Sequence, residues 1–220
     1  MSRVAVVGDG PAAADLVAGL EDRGHRVLPV PGDGLEGAAA VAAALGRDGS
    51  VDAAVWGWTE PACTSPTAFG DLDDAAWAYQ AERPVRRFLA FLQGAHAHFG
   101  GRDGSLVALV PVMSMIGAPA GLAAWATASE AQRALAKVAA RNWGRIGLTV
   151  NLVAVAPGLL AAGGGKDGPW LRAGLPAPSL PDEPSVRGQV AGVVASLLSP
   201  EWRAVTGATV GVDGGIWMAP

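Results

Sequence analysis

Short apolar runs that end in glycine or proline turns, alternating with segments of helical periodicity, constrain this chain more than any other feature. Residues 4–7 (Val-Ala-Val-Val) run into Gly8-Asp9-Gly10, and Ala12, Leu16 and Leu20 then recur at helical spacing until Gly24. The unit repeats: 26–30 predicts a strand ended by Pro31-Gly32, 35–45 a helix, and 51–56 a third strand. Strands separated by helices pair in parallel, and the helices must then cover both faces of the sheet. Further along, the pattern predicts a long helix over 74–98 kinked by Pro84, a strand over 106–112 and a helix over 122–142. A strand over 148–155 closed by Pro157-Gly158, a helix over 185–198 and a strand over 208–212 complete the order. The glycine- and proline-rich stretch 159–184 reads as a loop, mobile in part. These elements make an α/β, doubly wound parallel sheet in a single domain, 1–220.

Half of the 220 residues are apolar, enough for one substantial core. A net charge of -4, with no basic cluster beyond Arg86-Arg87, gives no electrostatic footprint for nucleic acid or an anionic membrane. Neither a signal segment nor a membrane-spanning run is legible, so the expected location is cytoplasmic. Cys63 is the single cysteine, which rules out an internal disulfide and a cysteine metal site. His96 and His98 stand two residues apart on a predicted helix and point away from each other, so no metal pair is expected. Asp71, Asp73 and Asp74 precede the long helix, where negative charge caps a helix N-terminus.

Segments 104–110, 121–158 and 190–215 resemble the short-chain dehydrogenase/reductase family. The most specific parts are Val150-Asn151 with Ala156-Pro157-Gly158, and Thr206-Gly207 with Val212-Asp213-Gly214-Gly215. The resemblance implies a Rossmann-type sheet. Only one helix fits between Pro31 and Val51, so the family's third strand, an edge strand, is expected to be deleted. That leaves six strands in the family order 2-1-4-5-6-7.

The family's chemistry uses a tyrosine, a lysine one helical turn later, and a serine. By the resemblance Trp125 stands at the tyrosine and Ser129 at the lysine, and neither ionises usefully. The serine position falls at Pro111 or Val112, with Ser114 displaced nearby, and the family's helix-kinking asparagine falls at about Pro84. Tyr79 is the only tyrosine, and the only lysines are Lys137 and Lys166, so no tyrosine-lysine pair is available. Gly8, Gly10 and Ala13 satisfy a general glycine turn for a pyrophosphate, but Asp9 adds negative charge there and Pro31 ends the second strand. The resulting expectation is that neither NAD nor NADP is bound.

Trp56, Trp58 and Trp125 map with Val112, Ser114 and Pro157 to the C-terminal crevice of the sheet, where doubly wound folds bind ligands. The rings either fill space left by a lost nicotinamide or line a pocket for another small molecule. The leading expectation is a non-catalytic subunit, partnered with an active short-chain dehydrogenase/reductase paralogue or with a second copy of itself. A repurposed enzyme or small-molecule binder is the alternative, and an active NAD(P)-dependent oxidoreductase with unorthodox residues is the third reading.

Overall fold

A computed structural model describes residues 2–161, 175–182 and 184–218. Its six strands are β1 (Arg3–Val7), β2 (Arg26–Val30), β3 (Ala53–Trp56), β4 (Gly104–Pro111), β5 (Leu148–Val155) and β6 (Thr209–Val212). They form one parallel sheet in the order β2-β1-β3-β4-β5-β6. This is the family order with its third strand removed. Pro29 lacks a donor and sits on β2, an edge strand, where the missing ladder bond leaves no gap in the interior.

Because both faces are covered, alternate residues of each strand serve two different cores. Ala5, Val7, Ala54, Trp56, Leu106 and Ala108 face α2 (Ala38–Gly46), α4 (Arg83–Phe99) and α5 (Ala123–Trp143). Val4, Val6, Ala53, Val55, Val107 and Leu109 face α1 (Pro11–Glu21) and α7 (Ala191–Leu198). The near-continuous apolar runs of the sequence therefore record burial on two sides. Two glycines set how closely helices approach. A Cβ at Gly19 would lie 2.4 Å from the Arg187 carbonyl oxygen, and one at Gly94 would lie 2.5 Å from the Ala38 oxygen.

The predicted helix over 74–98 is a composite. A first turn, α3 (Asp74–Trp77), passes through a π-helical turn, Ala78–Glu82, into α4. Pro84 then falls in the first turn of α4, directly after the widened turn. Asp73 caps α3 by accepting from the Ala76 N–H at 2.8 Å, as its position suggested. A second π-turn, Val186–Val190, leads into α7. The expected loop 159–184 begins inside a short helix, α6 (Pro157–Leu160), and its central part lies outside the described residues. Residues 175–182 return to the sheet edge, where the Ser179 N–H donates to the Gly214 oxygen at 2.8 Å.

The motifs that carried the resemblance are stitches in this frame. Asn151 is fully buried; its amide donates to the Val205 oxygen at 2.8 Å and its carbonyl accepts from the Ala208 N–H at 3.1 Å, tying β5 to β6. Thr206 Oγ1 accepts from the Val150 N–H at 3.1 Å. Asp213 holds the closing turn by accepting from the Gly215 and Trp217 amides at 2.9 and 3.0 Å. Among the described residues no helix is long and apolar enough to cross a membrane.

Candidate active site at the C-terminal edge of the sheet

The parallel strands all end at one edge, and the turns after β1, β2 and β3 and the first turns of α4 and α5 gather there. The Gly8 N–H donates to the Val30 oxygen at 3.0 Å and the Gly57 N–H to the Val7 oxygen at 2.9 Å, so the first turn is pinned between its two neighbours. A Cβ on Gly8 would come within 3.0 Å of the Gly57 backbone, and Ala13 is buried just below. Gly10 has φ +83°, a conformation that favours glycine, and the place its Cβ would take has no atom within 4 Å. It precedes Pro11, the first residue of α1, and no side chain caps that helix. Pro11 has no N–H, so the Ala12 and Ala13 amides are the first of the helix.

Asp9 does not burden this turn as expected. Its carboxylate turns toward the β2 side and accepts from the Gly32 and Asp33 amides at 2.8 and 3.3 Å. Asp33, at the end of the β2 turn, keeps its own carboxylate in solvent, with a side chain 91 % exposed. Beyond it, on the side of the sheet that the absent strand would have covered, an open cavity of about 360 Å³ is lined by Pro31, Asp33, Leu35, Ala44 and Arg47.

The three tryptophans do not form one aromatic crevice. Trp56 is 1 % exposed and points into the core beneath α4, its ring 5.8 Å from that of Phe88 and 5.2 Å from that of Phe91. It therefore does not line the crevice: at the end of β3 its side chain falls on the α4 face. Trp58 packs edge-on against Trp56 at 5.7 Å and lies over Gly32, where a Cβ would be 2.3 Å from the indole. The Arg87 guanidinium lies over the ring, 3.9 Å from its centroid. Trp125 is separate, packed with the α1 and α7 core.

Trp58 and Trp125 do meet across a narrow cavity of about 10 Å³, lined also by Glu60, Cys63, Pro84, Pro111 and Gln132. Pro84, Pro111 and Trp125 are three of the positions that the resemblance sets at the family's catalytic asparagine, serine and tyrosine. Ser129 donates to the Trp125 carbonyl oxygen at 2.8 Å and is buried, so it braces α5 rather than facing the cavity. Ser114 Oγ donates to the Pro111 oxygen at 3.1 Å. Val112 is fully buried in the core, and Pro157 is buried at the start of α6.

Sequence reading missed one group in this cavity. Glu60 is 5 % exposed, and its Oε2 lies 3.6 Å from both Arg83 Nε and Arg87 Nη1 without a hydrogen-bond partner. Burial pushes its carboxyl above the ordinary carboxylate range; Arg83 and Arg87 pull it back, and the Asp33 and Glu36 charges add to the rise. Arg87 is itself 1 % exposed and donates through Nη2 to the Gly32 oxygen, which ties the Glu60 cluster to the turn after β2. The local signal was only Glu60-Pro61 in a proline-rich loop, and nothing in the spacing marks a pairing with Arg83 and Arg87 more than twenty residues away.

A profile of the enoyl-(acyl carrier protein) reductase family matches residues 11–217. The chain belongs to this family. The family member's fold is shared by short-chain dehydrogenases/reductases of known structure. One from Serratia marcescens is 22% identical, with TM-score 0.73 and 97% of each chain covered. An acetoin dehydrogenase from Salmonella typhimurium is 21% identical, with TM-score 0.74, covering 98% of this family member and 96% of the enzyme. A blue fluorescent protein from a metagenomic library, solved in complex with NADPH, is 26% identical with TM-score 0.70, covering 97% and 87%. A search of curated proteins returns no significant match.

These findings correct two expectations. Family membership across nearly the whole chain, among dehydrogenase and reductase neighbours, overturns the non-catalytic subunit. The same membership, with a neighbour holding NADPH, argues for a nicotinamide cofactor and overturns the expectation of none. Both expectations rested on the residues that the resemblance sets at the family's catalytic and cofactor positions.

Proposed function

We propose that this chain is a nicotinamide-dependent oxidoreductase of the short-chain dehydrogenase/reductase type, acting on a small carbonyl compound. The observation that carries the reading is the open turn at Gly10: positive φ, no neighbour where a Cβ would stand, and an uncapped helix behind it. Such a turn lets the backbone approach a diphosphate, whose charge the first amides of α1 would meet. The residues present fit that end of a dinucleotide. Gly8, Gly10 and the Ala12 and Ala13 amides would hold the diphosphate, and Asp33 offers an exposed carboxylate to ribose hydroxyls.

When bound, the cofactor supplies or accepts a hydride. The chain's own work is positioning and proton handling. Trp58 and Trp125 wall a cavity of about 10 Å³, room for about one water-sized group. We further read the proton route as independent of a tyrosine-lysine pair. Tyr79, the one tyrosine, lies in the π-turn before α4 and is 48 % exposed, and Trp125 and Ser129 occupy the α5 positions of the resemblance. Self-association belongs to the same reading. The α4 and α5 helices leave an open, mainly apolar cavity of about 270 Å³, lined by Trp77, Ala81, Val85 and Thr127, suited to a second copy.

The test is titration of the purified chain with NADPH and NADH, followed by nicotinamide emission and by the melting temperature. The expected result is saturable binding of one of the two, with a rise in melting temperature. Absence of binding of both, up to about 1 mM, the top of the usual KM range, overturns the proposal.

A further inference from the structure

We infer that Asp9 is a positioning residue of the dinucleotide site. Its carboxylate fixes the turn after β2, so that Asp33 meets the ribose hydroxyls of a cofactor whose diphosphate lies at the Gly8–Gly10 turn. The inference rests on the oxidoreductase reading above and adds to it a residue that the resemblance does not supply.

The two turns part where the ladder between β1 and β2 ends. Val7 pairs with Val30, and the Gly8 N–H donates to the Val30 oxygen at 3.0 Å. Past that bond Gly10 leads into α1, while Pro31 and Gly32 carry the chain out of β2. Alternate residues of a strand direct their amides to the same side, so after Val30 the next N–H on the β1 side belongs to Gly32. That N–H goes to a side chain: Asp9 Oδ2 accepts it at 2.8 Å and accepts the Asp33 N–H at 3.3 Å. The carboxylate thus carries the pairing of the two turns beyond the end of the backbone ladder.

The turn after β2 is held from two further directions. Arg87 donates to the Gly32 oxygen, so both polar groups of the Gly32 backbone are engaged, and Trp58 lies so close that a Cβ there would be 2.3 Å from the indole. Arg87 and Trp58 are both buried, and they fix the turn against α4 and the end of β3. Asp9 alone of the three comes from the turn that would hold the diphosphate. On this clamped backbone the Asp33 side chain is 91 % exposed. An exposed carboxylate whose backbone is already fixed loses less freedom when it accepts from ribose hydroxyls, and the saving appears as affinity.

Charge alone predicts the opposite. A carboxylate beside a diphosphate repels it, so an Asp9 without a positioning role would weaken binding, and its removal would tighten it. The two roles therefore differ in the sign of what happens when the side chain is removed.

The test is titration of the wild-type chain with NADH and NADPH, then of four variants with NADH: Asp9→Ala, Asp9→Asn, Asp33→Ala and Asp9→Ala/Asp33→Ala. Asp9→Ala loses both hydrogen bonds and should weaken NADH binding about tenfold or more, the worth of a bond to a charged group. Asp9→Asn keeps an accepting oxygen without the charge and should stay within about threefold of wild type. In the Asp33→Ala background, Asp9→Ala should cost no more than about twofold, since the group it positions is gone. Additivity with Asp33→Ala, or a loss that asparagine does not rescue, marks a general structural role and overturns the inference. Unchanged or tighter binding by Asp9→Ala overturns it as well, and each of these results leaves the oxidoreductase reading standing. Binding of NADPH alone also defeats it, because a phosphate then replaces one of the hydroxyls that Asp33 would hold. Should the wild type bind neither dinucleotide, the oxidoreductase reading falls first and takes this inference with it.

Discussion

Arg87→Met is the substitution whose effect the structure specifies most fully. The side chain is 1 % exposed, donates to the Gly32 carbonyl, stacks 3.9 Å from the Trp58 ring and pairs with Glu60 at 3.6 Å. Its contacts to Glu36 and Asp33 involve side chains 60 % and 91 % exposed, and solvent screens them to little. Methionine keeps most of the volume but removes the charge. Glu60, 6 % exposed in its side chain, then retains one cation, Arg83, at 3.6 Å, and the Gly32 oxygen keeps only the Leu35 N–H at 3.4 Å. Breaking a buried pair by removing one partner costs about 3–5 kcal/mol. For a chain of this length that lowers the melting temperature by about 2–4 °C per kcal/mol.

Urea denaturation is the assay, with the slope unchanged and the midpoint lowered. The double variant Arg87→Met/Glu60→Gln should recover part of the loss, since the buried charge left behind has also been removed. A loss below about 1 kcal/mol, or strict additivity of the two single variants, would refute the claim that Arg87 and Glu60 share a buried charge balance.

Further predictions concern other parts of the molecule. Gly10→Val places a branched side chain on the open turn at a backbone angle it disfavours, and is expected to cost stability by about 1–2 kcal/mol while cutting dinucleotide affinity more than tenfold, read by titration. His98 accepts from the Val51 N–H at 3.3 Å, and burial, then the Arg102 charge, holds its pKa below the ordinary value. Its neutral form is therefore favoured by folding: that contribution is complete above about pH 6.5 and is lost as pH falls through the depressed value. His98→Gln should flatten the corresponding part of the stability-pH curve, leaving the share from His25, which burial also depresses. Cys63, buried and pushed to about 12, should resist thiol reagents at neutral pH until the chain is unfolded.

The sheet was legible because its determinants are local. Each strand is a short apolar run between turn residues, and the length of chain between Pro31 and Val51 decided that one edge strand was missing. Helix boundaries came within a few residues, but the turn before Pro84 did not. A proline inside a helical pattern marks a break in the ladder but does not say that a π-turn precedes it. The glycine turn was legible as a pattern, while the direction of Asp9 was not, since its partners are amides more than twenty residues away. Trp56 and Trp58 lie two positions apart and share a side, yet Trp56 is core and Trp58 borders the cavity, because the strand ends between them. Glu60 escaped notice for a related reason. Its chemistry comes from burial against α4, which composition does not report.

The most direct test of the account follows the hydride itself. The chain would be incubated with reduced nicotinamide dinucleotide carrying deuterium at the transferring carbon and with a panel of small ketones and diketones, and the products analysed by mass spectrometry. The account predicts an alcohol with one deuterium on the former carbonyl carbon, formed by the wild-type chain and formed far more slowly by Gly10→Val. Dinucleotide that binds without any deuterium reaching a carbonyl carbon would contradict it.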